Sequence, residues 1–418
     1  MKQRRRPRSR LFGGFVVLLA ASVFTGSAAY ADVLPNNPII PDKSSDPNAW
    51  LCYDYNTGQN GICLYTSRDD SPSGWNYNGD NPYPMTKTRL YYLPLGANPG
   101  TQSNWQAKGS TVDSVPGVVF QESQYSWVPA NAKHLWAPTA FYNSLGKYFL
   151  LVPDVSGSNV HTSSRIGVSD STSPFGPFTY RRRLNLDSGP NSGYASDPSM
   201  SYGPLFPWLT YANGDFNNCG KISIAQLSFE MDSVHSGWPK HFAINPATPG
   251  PFTLNGVPTG GGGNANLRGC NNNSDYYFEG PELFQRYVSN VGLKYYLMFA
   301  VKPASTPPQC TTAMGEPGTA NEAIAYAMAD DIEGPYTYKG IIMCGSSTEW
   351  TNQASIVQAW GPNSSNNLFF YHDGASGGPH TRKVHAECFR FNADGTIPKL
   401  TRTSSTSSSR WVGNCWDD

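Results

Sequence analysis

Four stretches of this chain repeat one pattern: a short run rich in aromatic residues, a second apolar run, then a turn. GKYFLLVPDV leads to SRIGVSDSTSPFGPFTY, and LKYYLMFAV leads to EAIAYAMADDIEGPYTY. LFPWLTYANGD precedes KISIAQLSFEMDS, and NNLFFYHDGA precedes RKVHAECFRFNADGTI. With Tyr148, Leu209, Tyr296 and Phe370 as markers the steps are 61, 87 and 74 residues, and an earlier copy around GICLYTSRDD makes five units. Units of that length hold about four strands each, the size of a propeller blade. A β-sandwich would supply the strands but not the paired echo of FGPFTY and EGPYTY. The expected fold is therefore all-β, a five-bladed β-propeller.

The composition agrees. The 24 Tyr, 20 Phe and 11 Trp sit in short runs bounded by Gly, Pro, Asn and Asp, and no long run has the 3.6-residue period of a helix. No long linker divides the chain, so one large domain is expected over 32–418, with a Ser-rich tail over 401–418. Residues 1–31 read as a signal peptide: a basic MKQRRRPRSR, an apolar LFGGFVVLLAASVF, and the small-x-small Ala29-Tyr30-Ala31. Its cleavage would remove Lys2 and five arginines but no acid, turning 30 basic against 30 acidic residues into 24 against 30. That balance argues against a nucleic-acid partner, and no later apolar run is long enough to span a bilayer. A secreted protein is expected.

Export makes disulfides the default for the eight cysteines, at 52, 63, 219, 270, 310, 344, 388 and 415, none of which has zinc-site spacing. Cys52 and Cys63 bracket YDYNTGQNGI, whose Asn-Gly predicts a hairpin turn, so these two are expected on adjacent strands. A bond from Cys415, with Cys388 as the candidate partner, would tie down the tail.

Ser-Asp-Pro occurs twice, at 45–47 and 196–198. Proline disfavours the α region for the residue before it, so Asp46 and Asp197 are expected in extended backbone at strand starts. These tripeptides belong to an ordered series: Asp46-Pro47, Trp136-Ala137-Pro138, Ser196-Asp197-Pro198, Glu279-Gly280-Pro281 and Phe370-Tyr371-His372. On that order and spacing the chain resembles the glycoside hydrolases of family 43, from about residue 40 to 400. The resemblance implies a five-bladed propeller whose innermost strands line one channel, with Asp46 as general base, Glu279 as general acid, and Asp197 raising the acid's pKa and holding its orientation. Inverting hydrolysis needs base and acid about 6.5–9.5 Å apart, to admit a water. Asp42 and Glu282 are the local competitors. In an extended strand 279 and 282 face opposite sides, so only one of them can face the channel.

The same resemblance places His372 near the propeller axis, where a histidine can contact a bound calcium or its water shell; a buried histidine satisfied by backbone is the alternative. No cofactor is required for the reaction. Where many relatives read Thr-Asn-His, this chain has Thr351-Asn352-Gln353, which weakens the inference about a cation. Trp136 is the candidate sugar-stacking residue, with Trp75, Trp105 and Trp127 as core or loop alternatives. Arg382 resembles an arginine that contacts the sugar in some members, against the alternative of a solvated side chain. SRDDSPSGW is only superficially like the sialidase Asp-box, its Ser-to-Trp spacing being off by one and its occurrence single. Insertions over 70–130 and 240–278 are expected to wall one end of the channel and favour an exo-acting pocket. The expected function is inverting hydrolysis of arabinose-, xylose- or galactose-type bonds in plant-type polysaccharides or their oligosaccharides, by a monomer. A non-catalytic carbohydrate-binding propeller and an adhesive extracellular protein are the alternatives.

Overall fold

A computed structural model of the chain describes residues 37–70, 84–127, 134–143, 145–155, 164–186, 194–203, 206–213, 221–244, 248–257, 278–303, 305–312, 318–319, 321–348, 351–358, 366–374 and 381–403. The expected signal segment, most of the Ser-rich tail, Trp75 and Cys219, Cys270 and Cys415 lie outside them.

The described strands form five sheets in chain order. The first holds β1 (Ser45–Asp54), β2 (Gln59–Ser67), β3 (Lys87–Pro94), β4 (Gln106–Lys108), β5 (Ser110–Val112) and β6 (Val115–Gln121). The second holds β7 (Thr139–Tyr142), β8 (Tyr148–Val155), β9 (Ser164–Ser171) and β10 (Thr179–Arg183). The third holds β11 (Ser196–Tyr202), β12 (Pro207–Asn213), β13 (Lys221–Gln226) and β14 (Lys240–His241). The fourth holds β15 (Ala243–Ile244), β16 (Thr253–Asn255), β17 (Phe278–Val288), β18 (Gly292–Val301), β19 (Ala323–Ala329) and β20 (Tyr336–Met343). The fifth holds β21 (Ala354–Val357), β22 (Asn367–Asp373) and β23 (Lys383–Phe389). Among the described residues no helix is long and apolar enough to cross a membrane.

Five apolar clusters fill the spaces between successive sheets, and their membership gives the arrangement. Tyr65 and Tyr92 meet Leu150 and Val152 between sheets one and two. Leu151 and Ile166 meet Leu209 and Tyr211 between two and three, and Ile222 and Ile224 meet Leu283 and Leu297 between three and four. Met298 and Tyr326 meet Phe369 and Tyr371 between four and five. Ile62 and Leu64 then meet Leu368 and Phe370, returning from sheet five to sheet one. The sheets therefore close on themselves in a propeller-like ring.

This packing explains the repeat in the sequence. Side chains alternate across a strand, and in each sheet the strand next to the innermost (β2, β8, β12, β18 and β22) is covered on both faces. In β8, Leu150 faces sheet one while Leu151 faces sheet three. In β22, Phe370 faces sheet one while Phe369 faces sheet four. A strand buried on both faces reads as a continuous apolar run, and all four marker residues lie on such strands.

Counted outward from the axis, the first strands are β1, β7, β11, β17 and β21. β11 packs on β7 and β17, β17 on β21, and β21 on β1; Asn48 of β1 accepts the Ala140 N–H of β7 at 3.0 Å. The ring is fastened by the segment before β1. Asn37 exchanges side-chain hydrogen bonds with the backbone of Ala386 at 3.0 Å each way. The amides of Ile40 and Ser44 donate to Val384 and Arg382. Residues 37–44 thus run along the free edge of β23, burying Ile39 and Ile40 completely.

Two local expectations need correction. The hairpin between β1 and β2 is present and Cys52 is bonded to Cys63, but its turn is Tyr55–Gly58, not Asn60-Gly61. The Asp54 carboxylate captures the Asn56 N–H and Gly58 takes a φ of +71°, an Asx-type turn that outcompetes the Asn-Gly pair. Gly61 is instead inside β2, where an added Cβ would stand 2.4 Å from the Tyr92 ring. The supposed insertions are also partly sheet: 87–121 carries β3 to β6, and 240–255 carries β14 to β16. A second disulfide joins Cys310 and Cys344. Cys388 is also disulfide-bonded, to a partner outside the described residues.

Glu282 ties the inner strands of three sheets together. Its Oε1 accepts the Ile356 N–H at 2.9 Å and the Ser355 hydroxyl at 3.2 Å, while Ser355 Oγ also accepts the Ala49 N–H at 3.0 Å. Burial pushes its pKa up to about 8, against the two hydrogen bonds that favour the charge. A carboxyl raised in this way favours folding below its unfolded pKa, and that contribution is lost as pH rises through the folded value. Glu282→Gln keeps an oxygen acceptor but cannot ionise. Chemical denaturation is therefore expected to find the variant about equal to wild type at pH 5 and more stable by about 2–4 kcal/mol at pH 9; equal stability at both would overturn the reading.

Candidate active site

Three of the first strands begin with the same irregularity. The pairing register shifts between Ser45 and Asn48, between Ser196 and Ser199, and between Glu279 and Glu282. At these bulges Asp46, Asp197 and Gly280, each just before a proline, have φ of +51°, +49° and +52°. The expected extended backbone is thus corrected. Proline excludes the right-handed α region for its predecessor but leaves the left-handed one open, and Asp and Gly reach that region at lower cost than most residues. Proline also lacks the N–H that a bulge would orphan.

The bulge undoes a second expectation. Glu279 pairs with Ala300 and Glu282 with Met298, two residues apart on the partner strand, so the extra residue cancels the alternation that was to put them on opposite sides. Both belong to the inside of the ring, and their surroundings separate their roles. Glu282 is consumed by the neighbouring strand, whereas Glu279 is half-buried at the strand head. Asp42 is ion-paired with Arg89 at 3.0 Å and mostly exposed.

The structure brings Asp46, Asp197 and Glu279 together. Asp197 Oδ2 accepts the Gly280 N–H at 3.1 Å and its Oδ1 accepts the Ser196 hydroxyl at 3.0 Å. Burial, then the charges of Glu279 and Asp46, drive the Asp197 pKa up to about 7, opposed by those two hydrogen bonds. Asp46 is also raised, by burial first; Arg382 opposes this and Asp69 reinforces it. The buried Tyr194 phenol is pushed well up by burial and by the charges of Asp197 and Glu279.

Asp46 is held from behind. Arg382, 3 % exposed, forks onto Asp69 through Nε at 3.1 Å and Nη2 at 2.9 Å. Its Nη1 reaches Asp46 Oδ1 and Thr351 Oγ1, both at 3.2 Å. The expected sugar contact is thus a guanidinium engaged by protein groups. His372 is likewise buried, its Nδ1 accepting the Asp46 N–H at 3.0 Å. Burial, then Arg382 and Arg402, hold its pKa well below the usual range. The ring is therefore neutral with the proton on Nε2, facing Thr351 Oγ1 at 3.4 Å, and its 3.3 Å approach to Asp46 Oδ1 is no ion pair. Calcium takes six to eight oxygen ligands. Here one nitrogen of His372 is committed, and among the described residues no group of three or more His, Cys, Asp or Glu side chains is placed to hold a metal ion.

Trp136 lies just before β7, half-buried, with its ring edge-on to His134 at 5.5 Å. His134 bridges Met85, whose sulfur is 4.0 Å from Arg382 Nη2, so Trp136 stands on the Arg382 side of the site. Trp105 is core, packed on Phe370 at 6.0 Å, and Trp127 stacks on Tyr125 at 5.0 Å.

Sequence reasoning missed Asp69 and Glu322. Asp69 sits in SRDD, where the superficial likeness to the sialidase motif masks it. Glu322 precedes β19 and is 2 % exposed; its Oε2 accepts the Asn352 N–H at 2.9 Å and its carboxyl hydrogen-bonds Glu279. The signal available for it was the head of EAIAYAM, two strands over from FEGP.

The sequence profile of "Glycosyl hydrolases family 43" matches residues 78–397. No curated protein matches by sequence. Among solved structures, a β-xylosidase/α-arabinofuranosidase from a compost microbial metagenome, crystallised with xylotriose in calcium-free form, superposes with a TM-score of 0.59 at 21% identity, covering 88% of this chain and 97% of that one. A Xanthomonas citri enzyme of the same family gives 0.59 at 18%, covering 90% and 97%. An α-L-arabinofuranosidase from Lactobacillus brevis gives 0.55 at 12%, covering 90% and 100%.

Proposed function

Because this chain belongs to family 43 of the glycosyl hydrolases, we propose that its five sheets are the five blades of a propeller and that Asp46, Asp197 and Glu279 at their inner edge hydrolyse glycosidic bonds with inversion. The observation that carries the reading is Asp197, fixed on the Gly280 N–H at 3.1 Å and charge-coupled to both Glu279 and Asp46.

Glu279 is the general acid. It gives its proton to the leaving oxygen as the bond to the anomeric carbon breaks. Asp197 beside it disfavours loss of that proton before substrate arrives. Asp46 is the general base, with Arg382 opposing the burial that raises its pKa, and takes a proton from the water that attacks the opposite face of the sugar. Trp136 offers a ring for the apolar face of a sugar. These groups supply an acid and a base from side chains alone, so the reaction asks for no cofactor.

The substrate is an arabinose-, xylose- or galactose-type polysaccharide or oligosaccharide, with β-xylosidase or α-L-arabinofuranosidase activity supported by the fold shared with such enzymes. The enzyme is secreted and acts as a monomer, with no nucleic-acid or membrane partner. A panel of aryl glycosides with arabinan, xylan and galactan identifies the sugar. Proton NMR of a fresh digest then tests the mechanism: the first-formed anomer is expected to be inverted, and a retained one would overturn the assignment.

A further inference from the structure

Glu279 has two carboxyl neighbours, Asp197 and Glu322, and the reaction above uses only the first. The pairing of β17, β18 and β19 sets Phe278, Val301 and Ala323 in one row, so Glu322 lies one residue beyond that row and across β18 from the acid's strand; the Asn352 that holds it also backs that strand, its carbonyl oxygen 3.3 Å from where a Cβ on Gly280 would stand. It cannot swing away. The Asn352 N–H holds its Oε2 at 2.9 Å and the Asn352 side-chain amide closes on its carbonyl oxygen at 3.2 Å.

Two carboxyls hydrogen-bond only when one carries the proton. Glu322 is the more deeply buried of the two, so its charged form costs more. Burial, then the charge and the hydrogen bond of Glu279, raise its pKa well above the usual range, with Lys302 the opposing cation. Asp197 and Tyr194 face Glu279 from the third sheet, and Asp46 acts on Asp197 from the first.

We propose that Glu322 is a positioning residue: as a neutral carboxylic acid it donates a hydrogen bond to one oxygen of Glu279, turning the other towards the bond to be broken and stabilising the carboxylate left behind. Glu322 keeps its own proton throughout. The transferred proton leaves from Glu279, and the electrons of the broken C–O bond stay with the leaving oxygen. Glu322 thereby opposes Asp197, which holds the proton on Glu279. The inference rests on Glu279 being the general acid.

The experiment compares Glu322→Gln, Glu322→Met and Glu279→Gln on the glycoside that wild type hydrolyses, with a poor and with an activated leaving group. Glu322→Gln still donates an N–H to Glu279 and still accepts from Asn352. It is expected to keep kcat within about threefold, with the alkaline limb of the pH profile unmoved. Glu322→Met, checked for folding by circular dichroism, is expected to lose about 10- to 100-fold in kcat on the poor leaving group, with KM unchanged, little loss on the activated one, and an alkaline limb moved to higher pH. Equal losses on both substrates in Glu322→Met, or an unmoved limb, would overturn the proposal. If Glu322→Met does not fold, Glu322→Gln decides alone, because a limb moved to lower pH would mean that Glu322 acts ionised. Glu279→Gln separates the two ideas: should it show no leaving-group dependence the acid assignment fails, whereas dependence there without it in Glu322→Met sinks only the role of Glu322.

Discussion

Glu279→Gln is expected to lower kcat by about 10²–10⁴-fold on a substrate with a poor leaving group, and to spare most activity on an activated aryl glycoside. The departing alkoxide of an ordinary sugar needs a proton as the bond breaks, and an activated phenolate does not. Asp46→Asn is expected to fail by a similar factor on both, since the water must be activated whatever departs. Asp197→Asn removes the negative charge beside Glu279, so the alkaline fall in activity should move to lower pH. Because Asp197 and Glu279 interact strongly, the limb belongs to the pair and not to either residue alone. Steady-state kinetics on two aglycones would check the set, and equal loss for folded Glu279→Gln on both would reject it as the acid.

Arg382→Met is expected to cost about 3–5 kcal/mol of stability, because it leaves buried carboxylates without their cation. Asp69 is 2 % exposed and receives both the guanidinium fork and the Arg382 backbone N–H. Asp46 would lose the one group that opposes its burial penalty by charge. Lysine should not rescue, since it cannot present two parallel donors to Asp69, whereas adding Asp69→Asn to Arg382→Met should recover part of the loss. Thermal melts of the three variants would measure this. A normal melt with only a raised KM would show instead that the guanidinium serves the sugar.

The strands and the acids were readable for different reasons. β8, β12, β18 and β22 announce themselves because each is buried on both faces, and burial on both faces leaves a contiguous apolar run. The proline after Asp46 and Asp197 marked the right positions but misled about their backbone, since its steric rule excludes one region and leaves two. The same hidden bulge spoiled the alternation argument for Glu282. The partners of these side chains lie far along the chain and left no local trace: Arg382 meets Asp69 across 313 positions, and Glu322 meets Glu279 across β18, which separates their strands. The Asn-Gly turn failed through local competition, Asp54 having captured the backbone four residues earlier.

The clasp of residues 37–44 along β23 also makes the start of the chain wait for its end during synthesis. Ile39 and Ile40 emerge early, yet part of the surface that buries them, Val384, Ala386 and Cys388, is made some 340 positions later, by the last sheet. Until then they are exposed apolar side chains, a liability of contacts so distant in sequence. The clasp ends at Ser44, bonded to Arg382 and two residues before Asp46, so the bond that seals the ring also delivers the arginine that holds the base. A nascent chain that ends before Arg382 therefore leaves Asp46 without its cation, and Ile39 and Ile40 without the last sheet that helps to bury them.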